Sequence, residues 1–106
     1  MARIRIDDTA AAQIEDIYIY TADQWGELQA DAYVRGLYDM FHDIAEGRLT
    51  GRTIPAVFPV EGYVRPYRSH FVYWRKLGPD VIGIVAVLHE RMHRVARVRK
   101  LLGKGP

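Results

Sequence analysis

The sequence contains no cysteine, which excludes a disulfide framework, a thiolate zinc site and a cysteine nucleophile. Long apolar runs are missing too. The longest, Val81 to Leu88, covers eight residues, too few to cross a bilayer. The opening Met1-Ala2-Arg3-Ile4-Arg5 lacks the apolar stretch of an export signal, so the expected location is cytoplasmic. There is no internal repeat and no low-complexity tract. What remains is 106 residues, 49 % apolar and 26 % charged, enough for one globular domain with one core.

The net charge of +2 conceals a polarity along the chain. Residues 1–47 carry three arginines against ten acids, whereas residues 48–106 carry twelve basic side chains against Glu61, Asp80 and Glu90. Such asymmetry points either to an acidic partner or to mutual neutralisation of the two halves.

Periodicity divides the chain at the same place. Arg3 to Ile6 alternates like a short strand. Asp7, Asp8 and Thr9 are candidate caps for a helix whose apolar stripe is Ile14, Ile17, Tyr18, Thr21 and Trp25. Gly26 is expected to break it. A second stripe (Ala30, Tyr33, Leu37, Phe41, Ile44) runs to Gly47, and the two make a helical hairpin over about residues 9–46. Residues 47–60 read as a loop anchored by Ile54, Val57, Phe58 and Val60. Strands then follow at 62–68, 70–77 and 80–89. Pro66 confines the first to a sheet edge, and the unbroken apolar run of the third marks it as central and buried on both faces. The expected class is α+β, an N-terminal strand and a helical hairpin packed on an antiparallel sheet. A short basic tail covers about residues 91–106.

Two patterns suggest chemistry. His89-Glu90-Arg91-Met92-His93 satisfies the H-E-x-x-H zinc signature, which requires both histidines one helical turn apart. As the continuation of a strand, residues four apart lie about 13 Å from each other, so no metal is expected. The second pattern interleaves Arg65, Arg68, Arg75 and Arg91 with Tyr63, Tyr67, Tyr73 and Trp74. Such groups suit phosphate neutralisation and base stacking, or form a solvated sheet face with snorkelling arginines.

The order of these elements resembles the RelE/ParE superfamily of toxins from bacterial type II toxin–antitoxin systems. Four local matches carry the likeness, which extends to about residue 95 and is nearest the ParE branch. They are the Ala10–Tyr18 stretch of the first helix, Gly51-Arg52 after the second, the run Val64 to Arg75, and Leu88-His89-Glu90-Arg91-Met92-His93. His93 stands where the family usually has Asp, which accounts for the zinc-like spacing. RelE-like members cut mRNA with an arginine in the middle strand. Here Phe71 occupies that place, and an aromatic ring brings neither charge nor donors to a phosphate.

The resemblance therefore implies a ParE-like toxin that inhibits DNA gyrase by binding, needs no cofactor and forms a hetero-oligomer with a cognate ParD-like antitoxin. Candidate target-binding residues are Arg65, Arg68, Arg75, His89, Arg91 and Met92. Candidate antitoxin-binding residues are Tyr18, Tyr20, Tyr33, Tyr38, Arg94 and Arg97. The alternative is a RelE-like ribosome-dependent ribonuclease using Arg65, Arg68 and His89.

Overall fold

A computed structural model describes residues 3–55 and 61–92. The chain runs β1 (Arg3–Ile6), α1 (Asp8–Trp25), α2 (Glu27–Ala45), β2 (Arg52–Thr53), β3 (Tyr63–Tyr67), β4 (His70–Gly78) and β5 (Val81–His89). The strands form one sheet in the order β1-β5-β4-β3-β2. The meander β3–β4–β5 is antiparallel as expected. β1 adds itself parallel to β5, with Arg3 opposite Val81 and Ile6 opposite Ile84, so the whole sheet is mixed.

A single residue joins the helices. Gly26 donates its N–H to the Ala22 carbonyl (2.9 Å) and accepts the Ala30 N–H (3.1 Å), at φ +96°. Only glycine takes that conformation without steric cost, and the chain reverses there. The Tyr18 hydroxyl donates to Asp31 across the resulting hairpin at 3.0 Å. No side-chain oxygen caps α1, contrary to the expectation for Asp7 to Thr9. Asp7 is instead spent on its backbone, the N–H on Ile84 and the carbonyl on Ala11.

The hairpin lays Ala10, Ile14 and Ile17 of α1 and Leu37, Met40, Phe41 and Ile44 of α2 onto Val72, Trp74, Ile82, Ile84 and Val87 of the sheet. Trp25, expected on the buried stripe, is 67 % exposed at the hairpin tip. The last buried position of α1 is Thr21, one turn earlier.

β5 is interior, though β4 occupies the middle of the five. Its burial is uneven, with Val85, Ala86 and Leu88 only partly covered. Val85 has no opposite residue, because Tyr73 pairs with Ala86 and Trp74 with Ile84. That bulge shifts the alternation by one, which lets Ile84 and Val87 both face the helices. Beyond Ile84, where β1 has ended, the Val87 N–H finds the side-chain oxygen of Gln13 on α1 at 2.7 Å. β3 is not the edge strand expected, because Arg52–Thr53, within the segment read as a loop, pairs as β2 with Tyr63 and Val64. Pro66 lies beyond that short pairing, where β3 has no second strand beside it among the described residues.

Gly36 sits in mid-helix, where alanine would ordinarily be favoured by about 1 kcal/mol. Its missing Cβ makes room for the Tyr67 hydroxyl, which donates to the Tyr33 carbonyl at 2.8 Å. Gly36→Ala is expected to lower stability by about 1–2 kcal/mol, an overpacking cost that exceeds the gain in helix propensity. In a Tyr67→Phe background the same substitution should cost less. Urea unfolding of the four variants measures the difference.

Candidate functional site

The β3–β4 turn builds one end of the site. Tyr67 pairs with His70, leaving Arg68 and Ser69 as a two-residue loop. Arg68 has φ +52°, and it is the one non-glycine residue at positive φ among those described. Its guanidinium lies against the rings of Tyr33 and Tyr67, 5.8 and 5.7 Å from their centroids. Those two rings meet edge to face at 5.1 Å.

Next to this turn opens a cleft of about 750 Å³. α1 supplies Asp16, Ile17, Tyr20, Thr21 and Trp25, and α2 supplies Gln29 and Tyr33. The sheet closes it with Ser69, His70 and His89, followed by Arg91 and Met92. Residues 90–92 leave strand geometry and begin a helical turn. The extended spacing assumed for the zinc-like motif therefore ends at His89, while His93 lies outside the described residues. Among the described residues no three His, Asp or Glu side chains converge as a metal site.

The polar end of the cleft is organised around His70. Its Nδ1 lies 2.6 Å from the Tyr33 hydroxyl, which is also 3.4 Å from the Ser69 hydroxyl. The imidazole of His89 stands edge-on at 5.2 Å. Burial and, after it, repulsion from His89 lower the His70 pKa to about 4, with Glu90 opposing weakly. At neutral pH His70 is thus an uncharged imidazole, and with its proton on Nε2 it accepts the Tyr33 O–H. Burial also raises the Tyr67 pKa, keeping that phenol a donor.

The other end is apolar and open, with Tyr20 at 65 %, Trp25 at 67 % and Met92 at 58 % exposure. Exposed aromatic and thioether groups around a concave surface suit contact with another molecule. Comparison with known proteins gives the chain a family. The model for the ParE toxin of type II toxin–antitoxin systems, parDE, matches residues 4–94. Toxin ParE1 of Mycobacterium tuberculosis (strain H37Rv) is 34 % identical over 92 residues, 86 % of this chain and 92 % of that one. The chain belongs to the ParE toxin family.

A second relative, Toxin ParE of Escherichia coli, is 28 % identical over 89 residues, covering 84 % of this chain and 85 % of its own. A solved structure titled as the chromosomal ParDE TA system from P. aeruginosa superposes with a TM-score of 0.67 at 18 % identity. That match covers 84 % of this chain and 96 % of the other, and it bears on the fold alone.

In this ParE-family chain the candidate residues separate by place. Tyr20, Tyr33, His89, Arg91 and Met92 meet in the cleft, with Arg68 on the adjoining turn. Arg65 donates to the Thr50 carbonyl at 2.7 Å, tying the loop before β2 to β3. Arg75 pairs with Gly83 and is exposed, one position out of phase with the buried Trp74. Tyr18 is held by Asp31, and Tyr38 packs edge-on against Phe41 at 5.3 Å. Arg94 and Arg97 lie outside the described residues. Trp25 and Ser69 are cleft residues that sequence reasoning missed. The apolar side chain immediately before a helix-breaking glycine was the available signal for Trp25.

Because the folded chain resists protonating His70, the unfolded chain binds that proton first as the pH falls. The resulting stability is complete above about 6.5 and is lost as pH drops toward about 4. His70→Gln should flatten that part of the pH dependence, as read from denaturant midpoints across the range.

Proposed function

We propose that the chain is the toxin of a type II toxin–antitoxin pair, bound and silenced by a cognate ParD-like antitoxin and, when released, inhibiting DNA gyrase by binding. The family match over residues 4–94 carries this reading. The cleft supports a binding role. His70 is uncharged and engaged by Tyr33, Phe71 lies within the strand ladder between Pro66 and Leu88, and Arg65 is committed to a loop carbonyl. A phosphoryl-transfer site needs cations placed at the equatorial oxygens, and losing one such group costs about 2.7–4 kcal/mol.

Silencing follows from shared space. Tyr20 and Tyr33, read as antitoxin contacts, line the same cleft as His89, Arg91 and Met92, read as target contacts. One occupant excludes the other, so occlusion suffices and no conformational change is required. Tyr33 is held by His70 and Tyr67 while Tyr20 is exposed, which gives an aromatic surface suited to a segment that folds on binding.

Expression without antitoxin should produce trapped gyrase–DNA cleavage complexes and a DNA-damage response while bulk mRNA stays intact. Arg91→Ala combined with Met92→Ala should weaken gyrase inhibition on the order of tenfold or more, the effect of truncating a central contact. Primer extension on cellular mRNA tests the alternative. Codon-phased cuts that disappear in His89→Ala would reject the gyrase reading in favour of a RelE-like ribonuclease.

A further inference from the structure

Arg68 holds a backbone conformation that its side chain makes unfavourable. A two-residue hairpin loop with positive φ at its first position ordinarily places glycine or asparagine there. Nothing about the turn itself calls for arginine, since glycine would adopt φ +52° more readily. Strain retained in this way directs attention to the side chain.

That side chain is prepared for an anion. The guanidinium rests on the Tyr33 and Tyr67 rings and is exposed. Contact with two tyrosines limits where the guanidinium can lie, and its exposure leaves it open to a ligand. Arg48 is ion-paired with Asp43 and Glu46. No described carboxylate neutralises Arg68.

The surroundings distinguish among possible anions. Arg68 borders a shallow hollow with Leu28, Gln29, Ala32 and Tyr33. Gln29 and Tyr33 also line the main cleft, so the two recesses form one continuous surface. Leu28 is 88 % exposed beside the guanidinium. A nucleic-acid backbone or an anionic membrane would have to approach the helical hairpin. Residues 8–46 of that hairpin hold nine acids and one arginine, which repel a polyanion. A mostly apolar peptide bearing one carboxylate meets no such penalty.

We propose that Arg68 anchors a carboxylate of the antitoxin, an aspartate or glutamate side chain that meets the guanidinium while a neighbouring apolar side chain fills the cleft between Trp25 and Met92. The inference rests on the antitoxin reading above and adds the chemistry of the contact. An exposed point charge in the same place would add little. A guanidinium held against Tyr33 and Tyr67 and covered by the bound peptide makes two parallel hydrogen bonds to one carboxylate.

Strain and recognition make opposite demands on residue 68, which gives the test its resolution. The probe is the purified cognate antitoxin, titrated calorimetrically into wild-type chain, Arg68→Gly and Arg68→Lys. Arg68→Gly is expected to unfold at a higher temperature than wild type yet bind antitoxin on the order of tenfold more weakly. Arg68→Lys, which keeps the charge without the fork, should lie between. One acid-to-amide substitution in the antitoxin should reproduce the Arg68→Gly loss and add nothing to it when the two are combined.

Arg68→Gly binding as tightly as wild type would overturn the anchor and leave the antitoxin reading standing. A loss that no single acidic residue of the antitoxin reproduces would also overturn it, assigning the arginine to apolar packing. Failure of the wild-type chain to bind antitoxin at all would overturn both.

Discussion

The approach of α2 to the end of β3 organises the inner end of the cleft. Gly36 removes the one Cβ that would collide with Tyr67, and the Tyr67 hydroxyl closes the gap by bonding to the Tyr33 carbonyl. A helix backbone is thereby pinned directly to the sheet at the strand end where the β3–β4 hairpin turns. Tyr33 is consequently held edge-on to Tyr67 and His70. Tyr33 in turn reaches His70 and Ser69 at the inner end of the cleft. Hydrophobic burial of Phe41, Leu37, Ile84 and Val72 supplies the stability, but it is non-directional. The Gly36–Tyr67 approach sets the geometry.

The same contact explains the chemical character of the cleft. A histidine turned toward water would titrate near neutrality and serve as an acid or base. His70 is drawn inward by Tyr33 and crowded by His89, and it stays uncharged through the physiological range. Its imidazole acts as a fixed hydrogen-bonding plug under an apolar mouth. Around it Tyr20, Trp25 and Met92 remain exposed. An aromatic rim with a few oriented polar groups is the composition of a recognition surface.

The two helices contribute unequally to that surface. α2 provides the buried wedge, with Leu37 and Phe41 fully covered, whereas α1 beyond Thr21 has nothing further to cover. Its final turn presents Trp25 to solvent. Gly26 returns the chain at once, so Leu28 and Gln29 of α2 stand beside that turn as part of the same exposed end. The hairpin thus stabilises the sheet at one end and offers a contact surface at the other.

Local pattern determined much of this protein. The 3.6-residue stripe on Ile14, Ile17, Leu37, Phe41 and Ile44 and the switch to strands after Gly47 follow from residue spacing and backbone chemistry, and both appear in the structure. The family could be read from ordered short motifs for the same reason. Long-range pairing decided the rest. Whether β1 joined the sheet, and in which direction, depended on β5 more than 70 residues later. The bulge at Val85 depended on its register with β4, and the mid-helix Gly36 made sense only opposite Tyr67. Arg65 and Arg68, three positions apart in similar surroundings, were indistinguishable in the sequence. The fold tied one to the Thr50 carbonyl and set the other on a strained turn above two tyrosines. Side-chain periodicity records which way a residue faces within its own element, and only tertiary packing brings the group it will meet.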